Sequence, residues 1–171
     1  MLLLLFFLFI QVTIGRGISL FDYINNTNYY NVQPFSPIVN TVKVAKKYEI
    51  EIYREDSRQA YKHNILGGYR PYSNVIVLYN SPKLEYFDKS NDKTLKHELI
   101  HAIQHCNGNR TKFKPITDDA FLLLCIEQKN INVTFIESFY TKEDFKIELE
   151  AYCFETFISY EDINMLLNAF C

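Results

Sequence analysis

The chain opens on nine uninterrupted apolar residues, 2–10, followed by Gln11, Val12, Thr13, Ile14 and the small, basic stretch Gly15-Arg16-Gly17. A run this short does not cross a bilayer core of about 30 Å, which takes ~20 apolar residues in a helix, so it predicts a secretory signal peptide over 1–17, cut near 15 or 17. The alternative for this segment is an uncleaved membrane anchor. Residues 18–37 are polar, rich in Asn and Tyr, and carry Pro34 and Pro37, which predicts an extended arm. Beyond it the apolar positions Ile38, Val39, Val42, Val44 and Ala45 predict a helix over 38–47, and Ile50, Ile52 and Tyr53 a strand. Gly67 and Gly68 read as a turn. Residues 74–79, NVIVLY, are the strongest strand candidate, being β-branched and followed by Asn80, Ser81 and Pro82.

The second half is helical in pattern. A helix over 92–106 is predicted, with Ser90 or Asn91 as its N-cap, Asp92 in the first turn and Asn107-Gly108 as the stop. Another spans 118–128. Thr141, followed by Glu143 and Asp144, caps a further helix that carries Ile147, Ala151, Phe154 and Ile158 along one stripe. A last helix covers 161–169. Without internal repeats or a linker, 38–171 reads as a single α+β domain, a short mixed or antiparallel sheet set against helices.

Composition narrows the function classes. Hydrophobic residues make up 48% and charged residues 22%, enough to bury a core and too apolar for a disordered chain. The 18 basic and 20 acidic residues leave a net charge of -2, and no Lys/Arg block is longer than a pair, so nothing supplies the basic surface that nucleic acid requires. Cys106, Cys125, Cys153 and Cys171 form an even set in a chain addressed to an oxidising compartment, which predicts two disulfides with three pairings open. None of the four lies in a CxxC pair that would favour zinc on thiolates. Asn25, Asn109 and Asn132 stand in N-x-T triplets, acceptors for glycosylation in a secreted chain.

The chemistry concentrates in His97-Glu98-Leu99-Ile100-His101, an HExxH pattern inside the predicted central helix. His97 and His101 lie about 40° apart on one face and one turn along, so both imidazoles reach a single zinc ion. Glu98 falls about 60° from His101, placed to take a proton from water that the ion acidifies. A catalytic zinc needs a third protein ligand and one position left for water. His105 shares the face but is about 12 Å from His97 along the axis, too far for the same ion. His63 lies in a loop region and reads as an ordinary histidine. There remain Glu148 and Glu150 on the downstream helix, about 200° apart, so that only one faces the site. Periodicity leans to Glu150, which is nearer the apolar stripe.

HELIHAIQHC at 97–106, GGY at 67–69, IVLYN at 76–80 and ELEAY at 148–152 together resemble the zincin metallopeptidases. They are most similar to the family of the mitochondrial inner-membrane peptidase that processes an ATP synthase subunit and assists that enzyme's assembly. The resemblance covers about half the chain. It implies a small gluzincin-like domain with zinc ligands His97, His101 and Glu148, the Glu followed three places later by the small Ala151, and Glu98 as general base. The ATP synthase role is not carried over, because the predicted signal peptide departs from that family's intermembrane-space address and its richer cysteine set is reduced to four here.

The expectation is therefore a secreted zinc metalloendopeptidase acting on a peptide or protein, with the strand over 74–79 offering its edge to an extended substrate. Tyr152 is a candidate oxyanion donor, and Gln104 a group that orients His101. The competing expectation is a zinc-stabilised binding or chaperone module of the same fold. Glu98 separates the two, since a purely structural site has no use for a base.

Overall fold

The computed structural model describes residues 18–19, 37–56, 60, 65–80 and 89–171. The signal segment, all but the two ends of the expected arm, His63 and Asn25 lie outside the described residues. The elements, in chain order, are β1 (Ile18–Ser19), α1 (Pro37–Lys47), β2 (Glu51–Asp56), β3 (Gly67–Arg70), β4 (Val75–Asn80), α2 (Lys89–Asn107), α3 (Asp119–Lys129), α4 (Val133–Phe139), α5 (Lys142–Phe157) and α6 (Tyr160–Phe170). The architecture is mixed α+β, six helices with a small mixed sheet of order β1-β2-β4-β3. Ile18 and Ser19, at the head of the expected arm, pair antiparallel with β2.

Helix α2 is the hub, touching β3 and β4 on one side and α5 and α6 on the other. Every residue from His97 to Cys106 is buried. A helix covered on all sides by sheet and helices has no solvent face to alternate with. Its Leu95, Leu99, Ile100 and Ile103 share one core with Ile52, Ile76 and Leu78 of the sheet, with Ile50 just ahead of β2, and with Ile163 and Leu167 of α6. A second, smaller core of Leu122, Cys125, Ile136, Leu149 and Cys153 lies on the far side of α5. Helix α5 thus serves two cores: Ala151, Phe154 and Ile158 of the expected stripe join the first, and Leu149 and Cys153 the second.

Helix boundaries follow local chemistry. Asp118 accepts from the Phe121 amide to start α3, Thr141 from the Asp144 amide to start α5, and Ser159 forms a reciprocal capping box with Asp162 to start α6. Helix α2 begins at Lys89, ahead of the cap expected at Ser90 or Asn91. It ends as expected at Asn107. Gly108 there has an ordinary φ; a Cβ on it would lie 1.6 Å from the Lys112 carbonyl oxygen, and the left-handed residues are Asn109 and Arg110. The short helix α4 has no counterpart in the sequence reading, since Val133, Thr134 and Phe135 are poor helix formers and only Ile136 is buried.

Two further readings are corrected. Gly67 and Gly68 are not a turn but open strand β3, and neither has a positive φ. Gly67 is needed for closeness: a Cβ there would lie 2.6 Å from Thr94 Cγ2 and 3.0 Å from the Val77 carbonyl oxygen. The turn follows at 71–74 and ends on Asn74, whose φ is 55°. Its carboxamide donates to the Tyr48 and Glu49 carbonyls and accepts from the Tyr69 hydroxyl. Second, β4 does not offer an edge. It pairs parallel with β2 and antiparallel with β3, so among the described strands the edge beside α2 is β3.

Two disulfides form, Cys106–Cys171 and Cys125–Cys153, with Cα atoms 5.0 and 6.0 Å apart. The first ties the end of the hub helix to the last residue; the second staples α3 to α5. Such bonds point to an oxidising, extracellular-type environment. No described helix is long and apolar enough to cross a membrane.

Candidate metal centre

The interface of α2 and α5 gathers His97, His101 and Glu148. His97 Nε2 and His101 Nε2 are 3.1 Å apart, and the Glu148 carboxylate reaches them at 3.4 and 3.3 Å. These three spacings match the edge of about 3.4 Å expected between ligands of one tetrahedral zinc bound at 2.0–2.1 Å. They are the only group of three or more His, Cys, Asp or Glu among the described residues whose ligand atoms lie within 4.8 Å of one another.

What the surrounding bonds do to the protons matters more than proximity. His97 Nδ1 is 3.0 Å from the Glu155 carboxylate, and His101 Nδ1 is 2.8 Å from Gln104 Oε1. Gln104 is itself oriented, because its amide nitrogen donates to the Ile147 carbonyl and to Glu150 at 2.9 and 2.8 Å. Acceptors at both Nδ1 positions draw the ring protons there. With both rings neutral, the Nε2 lone pairs face a carboxylate, and the buried Glu148 Oε2 has no hydrogen-bond partner. The three groups could hold one cation.

The electrostatics agree. Burial works against a charged His97, but hydrogen bonds with Glu148 and Glu155 outweigh it and push its pKa up to about 10. Burial likewise works against a charged Glu148, and the hydrogen bonds from His101 and His97 overcome it, bringing the carboxyl down to about 2. Without a metal, the cluster takes its missing positive charge as a proton on His97. The donor set, two imidazoles and one carboxylate in a closed hydrogen-bonded frame, suits zinc.

Glu98 is buried next to this cluster, and the Tyr69 backbone amide donates to its carboxylate. Burial raises its pKa above the ordinary carboxylate value, against the lowering effect of His101 and His97. The three groups and Glu98 line one cleft of about 350 Å³, walled by Gly67, Gly68 and Tyr69 of β3 and by Phe113 and Tyr140. On β3, the Leu66 carbonyl accepts from the Tyr79 amide at 2.9 Å, and by antiparallel alternation the Gly67 and Tyr69 backbone groups point away from β4.

The other residues singled out in the sequence separate cleanly. Glu150 does not join the histidines. It is fully buried, as the apolar stripe implies, but its carboxylate accepts from the Ile116 and Thr117 amides, the Thr117 hydroxyl and Gln104. Gln104 does hold His101. His105 is set apart by the Phe113 ring, whose centroid is 5.3 Å from that of His105 and 6.1 Å from that of His101. Tyr152 packs its ring edge-on against His97 at 4.8 Å.

Three contributors were missed. Glu155 is one, although it falls seven residues after Glu148 on the same helix face. Phe113 comes from an irregular loop that carries no local signal. Tyr140 closes α4 immediately before the Thr141 cap, and its hydroxyl engages Glu148 and Tyr152. Burial, then those two neighbours, hold its proton far above the ordinary tyrosine range.

Compared with models of protein families, with curated proteins and with solved structures, the chain matches none.

Proposed function

We propose that the protein is a zinc-dependent metallopeptidase, with His97, His101 and Glu148 as the ligands and Glu98 as the general base. The observation that carries this reading is the convergence of two Nε2 atoms and a buried carboxylate oxygen without a hydrogen-bond partner beside a buried glutamate, in a cleft edged by the half-buried strand β3. Bound zinc would supply the Lewis acid that polarises a scissile carbonyl and acidifies water. Glu98, poised by burial, takes the proton as the water oxygen bonds to the carbonyl carbon, then gives it to the amine nitrogen as the C–N bond breaks. The Tyr69 amide keeps the Glu98 carboxylate in place. Tyr140, rather than Tyr152, is the hydroxyl bordering this cleft, and it is the donor proposed for the developing oxyanion. An extended peptide lies along β3, pairing with the outward backbone groups of Gly67 and the Tyr69 carbonyl.

The test is Glu98→Gln. The expected result is one zinc per chain in both proteins and a loss of about a thousandfold in peptide hydrolysis by the variant. Hydrolysis that survives the substitution removes Glu98 as base. Zinc retained by a wild-type protein that cleaves nothing favours the binding module, and a folded wild type that takes up no zinc ends both readings.

A further inference from the structure

A second cleft, of about 500 Å³, opens beside the first and shares Gly67, His97, Glu98 and Tyr140 with it. Its far wall is apolar. Ile65, Leu66, Phe135 and Phe139 line it while remaining 49%, 46%, 51% and 69% exposed. Four of the nine large hydrophobic side chains exposed among the described residues thus converge on one place, and that place adjoins the candidate base. Phe135 and Phe139 stand one turn apart on α4 with ring centroids 4.8 Å from each other. Helix α4 is fastened to the body through Ile136, so neither ring is needed to hold it. Isolated exposed apolar residues are ordinary on a protein surface; a concave cluster of them opening onto a polar centre marks a binding site.

We infer that this cleft is the specificity subsite of the hydrolase, taking a bulky aromatic or branched aliphatic side chain next to the scissile bond of an extended peptide. The inference rests on the proposed peptidase reading and names its substrate class. Strand β3 gives the direction: residues 65–67 border the apolar cleft and 67–69 the metal cleft, so a peptide along this edge passes from one to the other. Both clefts border Glu98, so the side-chain subsite adjoins the position of the reacting carbonyl.

The experiment uses the full chain carrying Glu98→Gln, loaded with zinc, and a set of fluorescent Ser/Ala peptides in which one Phe is moved along the sequence. Binding is read by anisotropy and zinc content by metal analysis. One Phe position should bind about ten- to a hundredfold tighter than the all-Ala peptide. Adding Phe135→Ala and Phe139→Ala should cut that advantage to about threefold or less, with zinc content unchanged. No preference for Phe at any position, or a preference that survives the double substitution, overturns the subsite. Failure of the peptidase reading shows separately, as missing zinc or as absent hydrolysis in the wild-type chain, while the peptide preference is still read by binding.

Discussion

Helices α2 and α5 meet at two polar points, two residues apart on α5, and the two behave in opposite ways. At the first, Glu148 faces His97 and His101, and three groups present lone pairs to one another with no donor at Glu148 Oε2. At the second, Glu150 is wholly enclosed and receives donors from the loop at 116–117 and from Gln104. A buried carboxylate that is saturated with hydrogen-bond donors is finished as it stands. One with an oxygen that no donor reaches is completed by a positive charge beside it, a ring proton or a metal ion. The two points are also linked, because Gln104 touches Glu150 with its nitrogen and His101 with its oxygen. The structural carboxylate thereby fixes the tautomer of a candidate ligand.

The largest effect should come from the first point. Glu148→Gln is expected to lower zinc affinity about a thousandfold, as judged by competition with a chelating dye, and to leave the fold intact. If zinc binding is undiminished, the ligand assignment is lost. At the second point the outcome reverses: Glu150→Gln should keep zinc at saturating metal while lowering unfolding free energy by about 2–4 kcal/mol in urea, since an amide NH₂ would face amide donors. A metal-free Glu150→Gln protein of wild-type stability would mean that the two roles have been exchanged.

Smaller effects sharpen the contrast. Glu155→Gln weakens the hold on the His97 Nδ1 proton and should reduce zinc affinity about ten- to a hundredfold. An unchanged affinity would make the Glu155 contact incidental. Finally, the chelated protein carries a proton on His97 at neutral pH, because its pKa stands at about 10. Zinc uptake at pH 7.5 should therefore release close to one proton, measurable by calorimetry in buffers of different ionisation enthalpy, and the release should vanish above about pH 10. The sign for stability follows. His97 is raised, so in the chelated protein its contribution is whole below about pH 6.5 and is lost as pH climbs through about 10. Glu148 is lowered, so its contribution is whole above about pH 4.5 and is lost as pH falls through about 2. Proton release near zero at pH 7.5 would contradict this account.

Much of the fold was legible because it is locally encoded. Asp118, Thr141 and Ser159 start helices wherever they precede helix-forming sequence, so most helix starts lie within a residue or two of expectation. The spacing of His97 and His101 is likewise a property of any α-helix. Failures occurred where distant neighbours decide. Gly67 looks like a turn residue because glycine usually is one, but here it lets β3 approach Thr94. The strand at 75–80 looks like an exposed ladder only until β2 and β3 occupy both its sides. Helix α4 has too few buried residues to leave a pattern.

The sequence by itself determined the helical frame, the paired histidines with an adjacent glutamate, and an even number of cysteines, all consequences of short-range geometry and composition. Only the tertiary structure put Glu148 beside the histidines and Glu150 among donors, joined Cys106 to Cys171 and Cys125 to Cys153, and brought Tyr140 and Phe113 to the cleft and Glu155 to His97. A helical wheel reports which side of α5 is buried, and it reported Glu150 correctly as buried. It cannot report whether the neighbours waiting there are donors or acceptors, and that difference separates a structural carboxylate from a candidate metal ligand.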